Sequence, residues 1–209
     1  MSNVTITNHP LIEHKLSILR DVHTNPTVFR HLVNELGALL CYEATRDLPL
    51  CPVEVQTPLS MTTAYEMKES IALIPILRAG LGMVEGIWDL IPNAHVFHIG
   101  FYRNEKTLQP VEYYNKLPKD HPFKISFILD PMLATGGSAI ATTNIVKKWG
   151  AQTIKFVGII GAPEGIKALQ EAHPDVDIHL AAIDDHLNDK GYIVPGLGDA
   201  GDRQFGTVF

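Results

Sequence analysis

One stretch constrains this chain more than any other: residues 125–149, ISFILDPMLATGGSAIATTNIVKKW. An apolar run (Ile125, Phe127, Ile128, Leu129) ends in Asp130 and has the character of a buried strand. A loop of mostly small residues follows, Pro131 to Gly137. From Ser138 the spacing turns helical, with Ile140, Asn144, Ile145 and Trp149 on one face and Gly150 where a helix stops. A strand, a Gly-rich turn and a helix N-terminus together form an anion site, because the first-turn N–H groups have no intrahelical partners and the helix dipole places positive charge beside them. Gly136 and Gly137 let backbone approach a phosphate closely. The loop holds no lysine and no GK[ST] follows its glycines, so it is not a P-loop; a single monophosphate, held by amides and by the Thr135 and Ser138 hydroxyls, fits it. Asp130 would repel a phosphate, so ribose hydroxyls or a magnesium ion should offset it.

The flanking sequence places this unit in an α/β domain. Residues 71–77 (IALIPIL) form a continuous apolar run, as expected of a parallel strand buried on both faces, although Pro75 argues against a central position. Strand and helix patterns then alternate: a helix at 81–90, a strand at 94–102, a strand at 153–161, a helix at 163–172 and a strand at 176–183. Residues 103–120 read as a mobile hairpin between two core strands. Toward the N-terminus, helices are expected at 11–20 and from Pro26 to about Arg46, the latter with Asn25 as N-cap and Pro26 in its first turn. Residues 53–55 alternate as a short strand, and 57–69 read as an irregular polar excursion. The expectation is one domain over 1–209, with an N-terminal helical region of about 1–50 packing on or dimerising the core.

Charge narrows the function. Seventeen Lys and Arg stand against 23 Asp and Glu, a net charge of −6, which offers no electrostatic basis for nucleic-acid or membrane binding. An anionic ligand must be gripped by a few local cations. Arg78, leaving the carboxyl end of the 71–77 strand, lies where open α/β sheets bind ligands, and its planar fork suits a diphosphate. Arg103, with Asn104, Glu105 and Lys106, roots the hairpin, which could close over an anionic substrate. The C-terminal run 192–203 contains Gly196, Gly198 and Gly201 in a GxGxxG spacing, but no further strand follows, so it reads instead as a loop recognising a small planar ligand through backbone groups. The ten histidines show no metal-binding spacing, Cys41 and Cys51 read as reduced structural thiols, and no signal peptide or bilayer-spanning run is evident, so the expected location is cytoplasmic.

These motifs together resemble the uracil phosphoribosyltransferases, a branch of the type I phosphoribosyltransferases. The resemblance is carried by DPMLATGGSA (130–139), PILRAGLGM (75–83), HIGFYRNEKTLQPVEYYNKLP (98–118), APEGIKALQEAHPDVDI (162–178) and LNDKGYIVPGLGDAGDRQFGT (187–207). It implies a type I fold, a parallel sheet flanked by helices with a C-terminal base-binding hood over 187–207. It implies transfer of a phosphoribosyl group from 5-phosphoribosyl diphosphate (PRPP) to N1 of uracil, giving UMP and diphosphate in pyrimidine salvage. By resemblance, the loop Pro131, Met132, Leu133, Ala134, Thr135, Gly136, Gly137 and Ser138 binds PRPP, with Thr135 to Ser138 on the 5′-phosphate. Asp130 takes the ribose hydroxyls, and Arg78 and Arg103 the diphosphate. Ile193, Gly198 and Ala200 read uracil through backbone, and Asp199 faces PRPP or its magnesium. Asp130, Arg78 and Asp199 are the implied catalytic residues; magnesium is implied as cofactor, carried by PRPP with no direct protein site. Many type I members have two adjacent acids where this chain has Asp130-Pro131, a pattern the uracil branch shares. The resemblance further implies a homodimer or higher homo-oligomer and GTP as a candidate activator. A phosphoribosyltransferase-fold RNA-binding regulator is the alternative, which the acidic composition disfavours.

Overall fold

In the computed structural model the described residues are 4–103, 110–118 and 123–207; residues 104–106 of the expected hairpin base lie outside them. In chain order the elements are β1 (Val4–Ile6), α1 (Pro10–Arg20), α2 (Pro26–Ala44), β2 (Leu50–Gln56), β3 (Met61–Met67), β4 (Ile71–Leu77), α3 (Leu81–Leu90), β5 (His95–Val96), β6 (Ile99–Arg103) and β7 (Pro110–Asn115). They continue with β8 (Ile125–Leu129), β9 (Met132–Leu133), α4 (Gly137–Trp149), β10 (Thr153–Val157), β11 (Ile160–Gly161), α5 (Pro163–Ala172), β12 (Asp177–Leu180), β13 (Ala182–Ile183), β14 (His186–Leu187), β15 (Ile193–Val194) and α6 (Ala200–Phe205).

The main sheet runs β1-β12-β10-β8-β4-β6-β7, with β5 also on β4. Its pairings are parallel except β6–β7, which is the antiparallel hairpin. The apolar runs split by parity. Ile71, Leu73, Ile125, Phe127 and Leu129 join one core with α1, α2 and α3, while Ala72, Ile74, Ile76 and Ile128 join a second core containing residues of α4 and α5. Burial on both faces is why these strands read as unbroken hydrophobic runs.

Several expectations need correction. Pro75 is central after all, in register with Leu129 of β8. Leu73 O accepts from Phe97 N at 2.9 Å, so strand alternation turns Pro75 toward the same side. There the neighbouring strand is interrupted between β5 and β6, and the missing N–H breaks no ladder. The 57–69 segment is not irregular: β3 pairs antiparallel with β2 from Leu50↔Met67 to Gln56↔Met61. Neither face of this ribbon is buried as a core face, so apolar alternation marks only 53–55 of its first strand and none of its second. The 153–161 and 176–183 strands each divide, because β9, β11 and β13 leave the main sheet to form a small parallel sheet of their own. The 94–102 strand likewise divides into β5 and β6.

Helix α2 ends at Ala44, with Asn25 Oδ1 accepting from Val28 N as its N-cap. Its apolar face, Phe29, Leu32, Val33, Leu36 and Leu40, is buried within the same chain rather than left free for a partner. Its C-terminus explains a lysine in the middle of a core strand. Lys155 of β10, buried, donates from Nζ to Ala44 O at 2.7 Å and pairs with Asp47. A cation at a helix C-terminus satisfies an orphan carbonyl and complements the dipole. Burial pushes the neighbouring Cys41 thiol up to about 12, against the opposing charge of Lys155.

Replacing Lys155 with Met should therefore leave Ala44 O unpaired and lower the free energy of unfolding by about 1–3 kcal/mol, measured by urea denaturation.

Candidate active site

Three neighbouring strands deliver the expected site residues to one edge. In the order β8-β4-β6, all parallel, Asp130 follows β8, Arg78 follows β4 and Arg103 ends β6. Ligands of open α/β sheets bind at this carboxyl edge. The Arg78 turn and Asp130 are drawn together by Gly80, where a Cβ would strike the carbonyl oxygen of Leu129, the last residue of β8. The Leu77–Arg78 peptide is cis, and the Arg78 side chain is 57% exposed.

The loop after β8 is pinned from beneath. Met132 and Leu133 pair with Ile160 and Gly161, Pro131 O accepts from Ile159 N and Ile160 N at 3.0 Å each, and Leu133 O accepts from Ala162 N at 2.9 Å. Gly136 then turns with φ +81°, a left-handed conformation costly for other residues, and caps α4 without a side chain to occupy the first-turn amides. Only Thr135 Oγ1 approaches among the described side chains, 3.5 Å from Gly137 N. The helix begins at Gly137, one residue earlier than the sequence suggests. Backbone N–H groups at the α4 N-terminus, the exposed Thr135 and the half-buried Ser138 thus offer the donors that an anion such as a monophosphate takes.

Asp130 is half-buried, and its Oδ1 accepts from Met132 N at 3.3 Å. Burial pushes its carboxyl up to about 7; the Met132 hydrogen bond opposes this and the negative charge of Asp199 adds to it. Residues 125–130 and the C-terminal loop, distant in sequence, are therefore within electrostatic reach. Among the described residues no three His, Cys, Asp or Glu side chains converge on a metal position. Asp130 and Asp199 instead form a pair of like charges that a divalent ion held by a ligand, or a ribose diol, would relieve.

The C-terminal loop is shaped by contacts that the sequence did not disclose. Ile193 and Ala200 are buried and Gly198 is exposed. The Val194–Pro195 peptide is cis, and Gly196 and Gly198 have positive φ. Arg20, at the end of α1, grips Asp184 with two bonds of 2.7 and 2.6 Å and donates to Gly196 O at 2.7 Å; Gly196 N donates to Asp184 Oδ2 at 2.8 Å. Arg203 donates to Leu19 O and Leu197 O at 2.8 Å each and lies 4.4 Å from the Phe29 ring centroid. The N-terminal helices thus hold the C-terminal loop in place. Asp199 caps α6 by accepting from Asp202 N at 2.8 Å, and Asp202 lies 3.4 Å from Arg78 Nη2. Asp184, Asp202 and Gln204 were all missed as site residues. Their only sequence signal is their position in or beside the 187–207 motif.

A mostly parallel sheet flanked by helices, with a Gly-rich strand–turn–helix unit at its carboxyl edge, is the fold of the type I phosphoribosyltransferases. The uracil phosphoribosyltransferase family model matches residues 6–207. A uracil phosphoribosyltransferase of Roseiflexus castenholzii is 61% identical over 207 residues, spanning 99% of this chain and 100% of the relative. One from Streptococcus pyogenes is 59% identical over 208 residues, with 99% and 100% spanned. A solved protein from Aquifex aeolicus superposes with a TM-score of 0.92 at 42% identity, covering 97% of both chains. A hypoxanthine phosphoribosyltransferase from Trypanosoma cruzi shares the fold alone, with a TM-score of 0.52 at 11% identity over 76% of this chain and 75% of its own. The chain belongs to the uracil phosphoribosyltransferase family.

The raised Asp130 carboxyl has a consequence for stability. Its folded pKa of about 7 lies above the ordinary 3.8, so ionisation opposes folding. Stability associated with this group is complete below pH ~4, falls as pH rises to about 7 and is level above that. Asp130→Asn should therefore be more stable than the parent at pH 8 by on the order of 1–3 kcal/mol and nearly equal to it at pH 4, as read by thermal melts across that range.

Proposed function

We propose that the protein transfers the 5-phosphoribosyl group of PRPP to N1 of uracil, releasing UMP and diphosphate in pyrimidine salvage. The observation that carries this is that α6, which directly follows the backbone-rich loop at Ile193–Ala200, is tied to the Arg78 turn by Asp202 at 3.4 Å from Arg78 Nη2 and by Gln204 Nε2 donating to Ala79 O at 3.0 Å, at the sheet edge where Asp130 and the phosphate-type loop begin. In this assignment the α4 N-terminal amides with the Thr135 and Ser138 hydroxyls hold the 5′-phosphate, and the backbone from Pro131 to Ala134 shapes the floor beneath it. Asp130 accepts from the ribose hydroxyls. As a carboxylate it accepts best once ionised, so PRPP affinity rises with pH through about 7.

Arg78 and Arg103, from neighbouring strand ends, take the diphosphate. As the bond from C1′ to the diphosphate oxygen breaks, negative charge grows on the leaving group, and the guanidinium groups assigned to it stabilise that charge. Magnesium carried on PRPP would supply further charge neutralisation, with Asp199, an exposed carboxylate of the C-terminal loop, assigned to face it. Uracil's edge of alternating donors and acceptors is read by the backbone of Ile193, Gly198 and Ala200. Cytosine places an amino group where uracil has a carbonyl, and a mismatched buried polar contact discriminates strongly. Asp199 is also the acid of this loop to test as the group that receives the N1 proton.

We also take the chain to be a single phosphoribosyltransferase domain, to act in the cytoplasm, and to work as a homodimer or higher homo-oligomer. The free thiols of Cys41 and Cys51 accord with a reducing compartment, and no described helix is long and apolar enough to cross a membrane. The surface for self-association is the β2–β3 ribbon, which exposes Leu50, Val55, Leu59, Met61, Tyr65 and Met67. An isolated two-stranded ribbon gains little stability by itself, so a second copy is the natural cover. Light scattering should give a dimer or larger species, and Leu59→Asp combined with Tyr65→Asp should shift it toward monomer.

The decisive assay incubates the protein with PRPP, magnesium and a panel of nucleobases and resolves the nucleotides formed; UMP alone is expected, and no nucleotide with any base would defeat the assignment. Asp130→Asn should reduce turnover at least about 100-fold while remaining folded. Arg78→Ala should raise the KM for PRPP by about 10-fold or more, and an unchanged KM would remove Arg78 from the diphosphate site.

A further inference from the structure

We infer that α6 is a spacer fixing the base-reading loop relative to the Arg78 turn, and that Gln204 is its positioning residue. This rests on the assignment of uracil to Ile193–Ala200 and of diphosphate to Arg78. The two subsites lie on loops that share no continuous backbone: one follows β4, the other follows β15. Their separation must be set by side chains.

Gln204 spans that gap. It is fully buried, and its Nε2 donates to Ala200 O at 3.0 Å and to Ala79 O at 3.0 Å. Ala200 is a uracil-reading residue, and Ala79 directly follows Arg78. One amide nitrogen therefore ties a carbonyl of each subsite to the other. Only a neutral –NH₂ serves both: a carboxylate would face two carbonyls with no proton to donate, and a thioether has no donor at all. Oε1 has no partner among the described residues and sits where a Cβ on Gly82 would collide with it. The glycine at 82, in the first turn of α3, is thus matched to the amide. Arg30 Nη1 donates to Gln204 O at 3.0 Å and holds the residue from the α2 side.

The rest of α6 reinforces the same link. Asp202 pairs with Arg78 and accepts from Thr207 Oγ1 at 2.6 Å, and the Phe205 ring centroid lies 5.8 Å from the Arg78 guanidinium. Gln204 touches neither substrate in this assignment, so it acts through others. Group transfer needs the base nitrogen in line with the departing diphosphate oxygen across C1′, and a misplacement of ~1 Å can cost about 100-fold in rate. Loosening the spacer while leaving each subsite whole should slow chemistry without weakening either substrate.

The test compares wild type with Gln204→Met, of similar length but without donors. Single-turnover UMP formation is measured at saturating uracil and PRPP with magnesium, alongside the KM for each substrate and the melting temperature. The expected result is a rate lower by at least about 10-fold with both KM values within about 3-fold of wild type. An unchanged rate per folded molecule with a lower melting temperature means a purely structural role and overturns the inference; so does a KM that rises in step with the loss of rate. If Gln204→Met does not fold, Asp202→Asn, at a half-exposed position, is measured in the same way. A rate loss of about 3-fold or more at steady KM supports the spacer, and none overturns it. Failure of wild type to form UMP would appear first and would defeat the substrate assignment itself.

Discussion

Burial of β4 and β8 on both faces is the constraint from which the rest of the molecule follows. With Ile71–Ile74 and Ile125–Leu129 walled in by helices on either side, no charged side chain has room along these two strands, and the one polar side chain they hold, Ser126, is small and fully buried. Chemistry can begin only where the strands stop. Arg78 and Asp130 are the first charged residues beyond their carboxyl ends, and close packing of Gly80 on Leu129 brings them to a common rim. The same enclosure reaches Asp130 itself. Partial burial raises its carboxyl to about 7, the kind of perturbation that marks a functional group.

The second half of the site depends on ion pairs rather than on the sheet. Few backbone hydrogen bonds hold the loop between β15 and α6, and Arg20–Asp184 and Arg203 take their place by anchoring it to the end of α1. The N-terminal helices are therefore part of the active-site architecture although they supply none of its assigned ligand contacts. A half-buried bidentate pair is costly to break because either partner alone is left uncompensated. That cost keeps the loop in one conformation without a large core beneath it.

Much of this was legible in the sequence because it depends on local order. The strand–turn–helix at 125–149, the cap at Asn25–Pro26, the stop at Gly150 and the two-face burial of 71–77 all follow from spacing over a few residues. The failures share a cause. Pro75 seemed misplaced because the gap between β5 and β6 that accommodates it is a property of the neighbouring strand. Residues 61–67 seemed irregular because a ribbon standing off the body carries no buried face to set an alternation. Lys155 gave no hint of its role, since the carbonyl it satisfies belongs to α2, more than a hundred residues earlier.

The sequence by itself determined that strands would alternate with helices and that a phosphate-type loop would follow the strand at 125–129. Its motifs also placed the chain in its family. Tertiary structure alone decided that Asp130 would feel Asp199, that Arg20 would clamp the C-terminal loop, and that Gln204 would bridge Ala79 and Ala200. The physical reason is range. Propensity, capping and periodicity act between residues a few positions apart, whereas carboxylate pairing, a guanidinium grip and a bridging amide depend on distances that exist only after the sheet has assembled.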